Sequence, residues 1–271
     1  MIPAADTGTF ADHQFVRSGD GSRVLLVVPG LNDPLYTVAG SWWFARLMAA
    51  YLGRYGDTHT AYMVSRPHGL ATGSTTGDMA RGYEAVLDEL CDRESVETVD
   101  VLGLSMGGFI VQHLAARDDR VRRAVLGLSA AQLSDEGATV VRRWRALAAR
   151  GRWGPIYREA YGIVADGALA RSLQAGAVVY DLFSEPTEPA DFLTSADACL
   201  AHDGRDLLGD IRCPTLVLGG DEDVFFTTEA YRETAATLPE GTLAMLRGAG
   251  HESLIEYPRA FDGCITRFLT G

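Results

Sequence analysis

Short, continuously apolar runs alternate with amphipathic stretches along most of this chain. The runs are Val24-Leu25-Leu26-Val27-Val28, Ala61-Tyr62-Met63-Val64, Val99-Asp100-Val101-Leu102, Ala124-Val125-Leu126-Gly127-Leu128 and Pro214-Thr215-Leu216-Val217-Leu218. Half-exposed strands alternate apolar and polar residues, whereas strands buried on both faces of a parallel sheet do not, so these runs predict buried parallel strands. Helical patterns lie between them over 42–55, 78–92, 107–117 and 228–237. A weaker run, Thr242-Leu243-Ala244-Met245-Leu246, predicts a last strand before a closing helix over 258–269. Strands alternating with helices of that length build βαβ units. The fold class is therefore α/β, a mostly parallel central sheet with helices on both faces.

The alternation breaks between 131 and 209, where helical patterns follow one another over 140–150, 156–165, 168–179 and 191–202. A helical block between two strands of a parallel sheet is most economically a cap packed over the sheet's edge. The expected organisation is a core of residues 1–130 and 210–271 with a cap insertion at 131–209. Pro186 and Pro189 mark a turn between cap helices.

Composition narrows the class further. A chain of 271 residues can bury about 75% of its unfolded surface and needs no metal or disulfide to hold a core. Its four cysteines are scattered without metal-ligand spacing, which suits reduced thiols in a cytoplasmic protein. Residues 1–6 carry neither a basic region nor a following apolar stretch, and no apolar run is long enough to span a bilayer. The net charge of −12 argues against nucleic acid or an anionic membrane as a partner and leaves a small molecule. The sequence contains no lysine, so all 24 basic residues are arginine. Codon use in a GC-rich genome produces that pattern, and so does adaptation to concentrated salt, where surface carboxylates hold water well. Both readings stay open.

The strongest local signal is Gly103-Leu104-Ser105-Met106-Gly107-Gly108, which directly follows one buried strand and opens a helical pattern. Turning from strand to helix in so few residues holds the serine in a strained conformation that side chains at the flanking glycines would obstruct. Its hydroxyl then projects at the positive end of the helix, where a nucleophile is useful. Gly127-Leu128-Ser129-Ala130-Ala131 also follows a strand but lacks the second glycine and reads as a plain turn. A serine needs an adjacent base at neutral pH. Among six histidines, His251 in Gly248-Ala249-Gly250-His251 follows the last strand on a loop made pliable by glycine. The base needs a carboxylate to fix its tautomer, and Asp221, Glu222 and Asp223 follow the strand that begins at Pro214. The spacing alone does not choose among those three.

Through these three segments the chain resembles the α/β-hydrolase superfamily over essentially its whole length, with the nearest likeness to capped carboxylesterases and enol-lactonases. The resemblance implies that the acid is the third residue after the glycine, which is Asp223. It also implies an oxyanion hole of two backbone N–H groups, from Met106 and from Leu31 in the loop Val28-Pro29-Gly30-Leu31-Asn32-Asp33. Family members usually carry His-Gly where this chain has Pro29-Gly30. That removes a side chain able to order the loop, and Asx-type hydrogen bonds from Asn32 or Asp33 are an alternative. Asn32, Trp144, Trp153 and Phe225 are candidates for substrate contact, while the arginines of the cap (Arg142, Arg143, Arg145, Arg150, Arg152) read as a solvated helix face. The implied activity is hydrolysis of a small carboxylic ester, thioester or lactone through an acyl-Ser105 intermediate, without cofactor or metal. The same triad also serves C–C bond hydrolases, acyltransferases, perhydrolases and ligand receptors.

Overall fold

In the computed structural model, which describes residues 5–36, 38–39, 41–164, 186 and 188–271, an N-terminal hairpin precedes the alternating βα units. Its strands are β1 (Asp6–Phe10) and β2 (His13–Ser18). After β3 (Arg23–Val28) come α1 (Asp33–Tyr36), α2 (Trp42–Leu52), β4 (His59–Val64), α3 (Thr76–Glu94), β5 (Val99–Leu104), α4 (Met106–Ala115) and β6 (Val121–Gly127). Helices α5 (Asp135–Ala148), α6 (Trp153–Val164) and α7 (Pro189–Ala201) lie between β6 and β7 (Thr215–Gly220). The chain then runs through α8 (Thr228–Thr237), β8 (Gly241–Leu246), α9 (Ser253–Glu256) and α10 (Pro258–Thr270). The expected helix over 168–179 lies outside the described residues. Among the described residues, no helix is long and apolar enough to cross a membrane.

The strands form one sheet in the order β1-β2-β4-β3-β5-β6-β7-β8. Pairings from β4 to β8 are parallel; β1 and β2 pair antiparallel at one edge. The apolar runs are continuous because each face of the sheet has its own core. Val24, Leu26 and Val28 of β3 pack with Tyr83 of α3 and Phe109 of α4. The alternate residues Leu25 and Val27 face the other way, toward Leu52 of α2 and Phe261 and Ile265 of α10. Emptying one buried leucine position in such a core costs about 2–5 kcal/mol.

Two local findings differ from the sequence reading. The hairpin was not anticipated, because β1 is an exposed edge strand and its turn is Ala11-Asp12, two positive-φ residues without glycine. Helix α5 begins five residues before the expected 140 because Ser134 caps it, accepting from Gly137 N at 2.9 Å.

Sheet order also places the crevice. The chain leaves β3 toward β4 on one side and leaves β5 toward β6 on the other, so the loops at the carboxyl ends of neighbouring β3 and β5 part there. Ligands of open α/β sheets bind at such switch points.

Candidate active site

Ser105 stands at the end of β5 with φ 53° and ψ −121°, a conformation that costs a non-glycine residue of order 1–3 kcal/mol. Close packing holds it there. A Cβ on Gly107 would lie 2.1 Å from the Val28 carbonyl oxygen, and one on Gly103 would lie 2.5 Å from the Gly107 carbonyl oxygen. Those two glycines let the first turn of α4 sit directly against β3 and β5. Ser129, in the glycine-poor lookalike, is fully buried behind α4 and its hydroxyl has no partner.

His251 bridges two of the sequence candidates. Its Nε2 lies 3.0 Å from Ser105 Oγ and its Nδ1 lies 2.9 Å from Asp223 Oδ2. The acid loop follows β7 and the histidine loop follows β8, and the Glu222 N–H donates to the Ala249 carbonyl to tie them together. Of the three carboxylates left open by spacing, Asp223 is the one beside the imidazole. Asp221 instead accepts from Gly248 N at 2.6 Å and fastens the turn before His251. The Asp223 side chain is fully buried, and its oxygens also accept from Phe225 N at 2.8 Å and from the Tyr231 hydroxyl at 2.7 Å. Tyr231 was not singled out from sequence; burial raises its phenol well above its ordinary pKa, so it remains a donor.

The arrangement opens into a cavity of about 270 Å³. Its floor is Ser105, Met106 and His251, and one wall is Gly30, Leu31 and Asn32. Val141 and Trp144 from α5, Ala160 from α6 and Cys199 from α7 close it from above. The lining is overwhelmingly apolar and, among the described residues, holds no cationic side chain. Arg143 and Arg145 of α5 turn to Glu159 and Asp197 instead. Burial pushes the Cys199 thiol up to about 12, leaving it a neutral wall. Among the described residues no group of three or more metal-ligating side chains is gathered.

Most of the expected pocket residues line this cavity, with one correction. Trp144, Phe225 and Asn32 face it, but Trp153 does not. Its ring is buried and packs edge-on against Phe192 of α7 at 5.6 Å, because it opens α6 on the side that meets α7. The expected ordering of the loop after β3 by local Asx bonds is also not what is found. Asn32 Oδ1 is buried without a partner, and Asp33 reaches across to accept from Arg66 N at 2.8 Å. Arg66 had no sequence signal, since its partners are more than 30 residues away in the chain.

Comparisons with known proteins agree with this architecture. Residues 25–262 match the Alpha/beta hydrolase family. The chain is 27% identical, over 94% of its length, to a segment of the polyketide synthase ThaQ of Burkholderia thailandensis, and spans 12% of that relative. The enol-lactonase from Burkholderia xenovorans LB400 superposes with a TM-score of 0.76 at 20% identity, covering 98% of this chain and 100% of that one. A thermophilic esterase from Thermogutta terrifontis superposes with a TM-score of 0.72 at 21% identity, covering 99% and 98%. At those identities the two structures share the fold.

Proposed function

Because this chain belongs to the alpha/beta hydrolase family, we propose that it is a serine hydrolase cleaving a carboxylic ester, thioester or lactone of a small molecule. One observation carries the proposal: a continuous hydrogen-bonded relay from Ser105 through His251 to Asp223 at the floor of an apolar cavity.

In this reading His251 Nε2 takes the hydroxyl proton as Ser105 Oγ attacks the carbonyl, and Asp223 holds the ring in the tautomer that presents Nε2 as acceptor. The backbone N–H groups of Leu31 and Met106 receive the charge that develops on the carbonyl oxygen. Met106 is the first residue of α4, where helical N–H groups lack intrahelical partners. One such donor is worth about 10²–10³ in kcat. The tetrahedral intermediate collapses as His251 returns the proton to the leaving oxygen or sulfur. Water, deprotonated by His251, then attacks the acyl-serine and releases the acid.

An uncharged acyl group suits the apolar lining, in which no cationic side chain lies among the described residues. The likeness to a segment of a polyketide synthase supports including acyl thioesters among the substrates tested. The test is a hydrolysis screen over ester chain lengths, thioesters and lactones, with Ser105→Ala as the blank. Turnover by the wild type and not by the variant supports the proposal, and equal rates for the two sink it.

A further inference from the structure

The structure assigns Arg66 the role of a positioning residue for the oxyanion hole: its guanidinium holds the loop that presents the Leu31 N–H. This rests on the serine-hydrolase reading above.

Arg66 follows β4, is almost fully buried and does not line the cavity, so it cannot touch substrate. Its Nη1 donates to the Pro29 carbonyl at 3.1 Å and its Nη2 to the Gly30 carbonyl at 2.8 Å. The second contact, together with the Asp33 N–H that donates to the same carbonyl at 3.2 Å, sets the direction of a catalytic donor. The Gly30 carbonyl and the Leu31 N–H belong to one planar trans peptide and point in opposite directions. Holding the oxygen toward Arg66 therefore aims the N–H away from it. Gly30 stands over Ser105, where an added Cβ would lie 3.3 Å from Ser105 Cβ, so that peptide lies beside the reacting hydroxyl. Among the described residues no protein acceptor takes the Leu31 N–H, which leaves it available to substrate.

The rest of the contact set explains why the charge is tolerated there. Asp33, on the same loop, accepts from Arg66 N at 2.8 Å and lies 3.7 Å from Nη2, so the buried cation has a buried counter-charge. Ser65 beside it accepts from Val38 N at 2.9 Å, tying the loop a second time. The segment carrying Arg66 is in turn fastened to the cap. Asp191 of α7, itself buried, accepts from Gly69 N at 3.0 Å and Leu70 N at 2.7 Å. One chain of contacts thus runs from the cap helix α7 to the oxyanion loop.

Arginine is needed because its planar fork reaches two carbonyls at once, which a lysine ammonium does not. Arg66→Lys keeps the charge opposite Asp33 and gives up the double grip. The experiment measures kcat per active site, titrated to the end point with a serine-directed phosphonate, together with KM and the affinity for an alkyl boronic acid. The boronic acid adds to the serine and places an oxygen in the hole. A displaced donor should lower kcat by about 10²-fold, with KM within about twofold, and weaken boronic acid binding in proportion to the loss in kcat/KM. The double variant Asp33→Asn, Arg66→Gln leaves no unpaired buried charge and should show the same split. A loss only in the number of titratable sites, with kcat per site and boronic acid affinity unchanged, overturns the inference and leaves the hydrolase reading intact. A wild type that neither turns over substrate nor takes the phosphonate at Ser105 overturns both.

Discussion

Tyr231 donates its hydroxyl proton to Asp223 Oδ2 at 2.7 Å, the same oxygen that faces His251 Nδ1 at 2.9 Å. A buried carboxylate with three donors around it is held in one orientation, and a hydrogen bond to such a group is worth about 1.5–3 kcal/mol. Tyr231→Phe removes that bond while keeping the ring that packs against Gly219. The expected result is a melting temperature lower by roughly 3–10 °C and a kcat/KM lower by about tenfold. An unchanged kcat/KM would show that Phe225 N and His251 suffice to orient the acid.

Asp221 and Asp223 are two residues apart and make different contacts, Asp221 with Gly248 N and Asp223 with His251. Asp223→Asn should lower kcat by about 10⁴-fold by favouring the wrong tautomer of His251. Asp221→Asn disturbs only the Gly248 turn and should cost far less. Steady-state rates for both variants decide the matter, and comparable losses would contradict the division of roles.

Trp144 of α5 and Trp153 of α6 should separate by readout. Trp144 faces the cavity while Trp153 is buried against Phe192. Trp144→Ala should change the ranking of acyl chain lengths by about 1–3 kcal/mol per methylene-sized difference. Trp153→Ala should cost about 3–5 kcal/mol of stability and leave the ranking alone. A shifted ranking in the Trp153 variant would mean that Trp153 also shapes the cavity wall.

Stability should fall on mild acidification through two neighbouring histidines, His202 buried and His113 half-buried. His202 stacks on Phe109, and Thr76 Oγ1 lies 2.9 Å from His202 Nδ1 and 3.2 Å from His113 Nε2. Burial lowers His202 to about 3 and His113 to about 4. The unfolded chain takes up these protons near pH 6.5 and the folded one does not, so stability is full above about pH 6.5 and declines below it. His202→Gln should be destabilised at pH 7, with its gap in melting temperature to the wild type narrowing by pH 5. A gap that stays constant across that range would remove the assignment.

What could be read from sequence follows from where the causes lie. Val24 to Val28 and Val99 to Leu104 announce themselves because both faces of their strands are buried, so the cause of the pattern is local and repeated. Ser105 and His251 stand out as candidates in the sequence because glycines flank them. Asp223 came from resemblance, since three adjacent carboxylates fit the spacing equally well. Arg66 and Tyr231 act through partners that only folding brings near. A buried arginine looks like any other in a chain whose 24 basic residues are all arginine. Trp153 and Trp144 look alike in composition, and only the packing of α6 on α7 tells wall from interior.

Covalent labelling tests the proposed nucleophile, Ser105, without any knowledge of the substrate. The wild-type protein, incubated with a serine-directed phosphonate, should gain one adduct mass, and peptide mapping should place it on Ser105. Ser105→Ala should take up no label and lose about 10⁴-fold or more in turnover. Ser129 is fully buried and should stay unmodified. Label on Ser129, or an alanine variant that keeps most of its activity, would rule out Ser105 as the nucleophile.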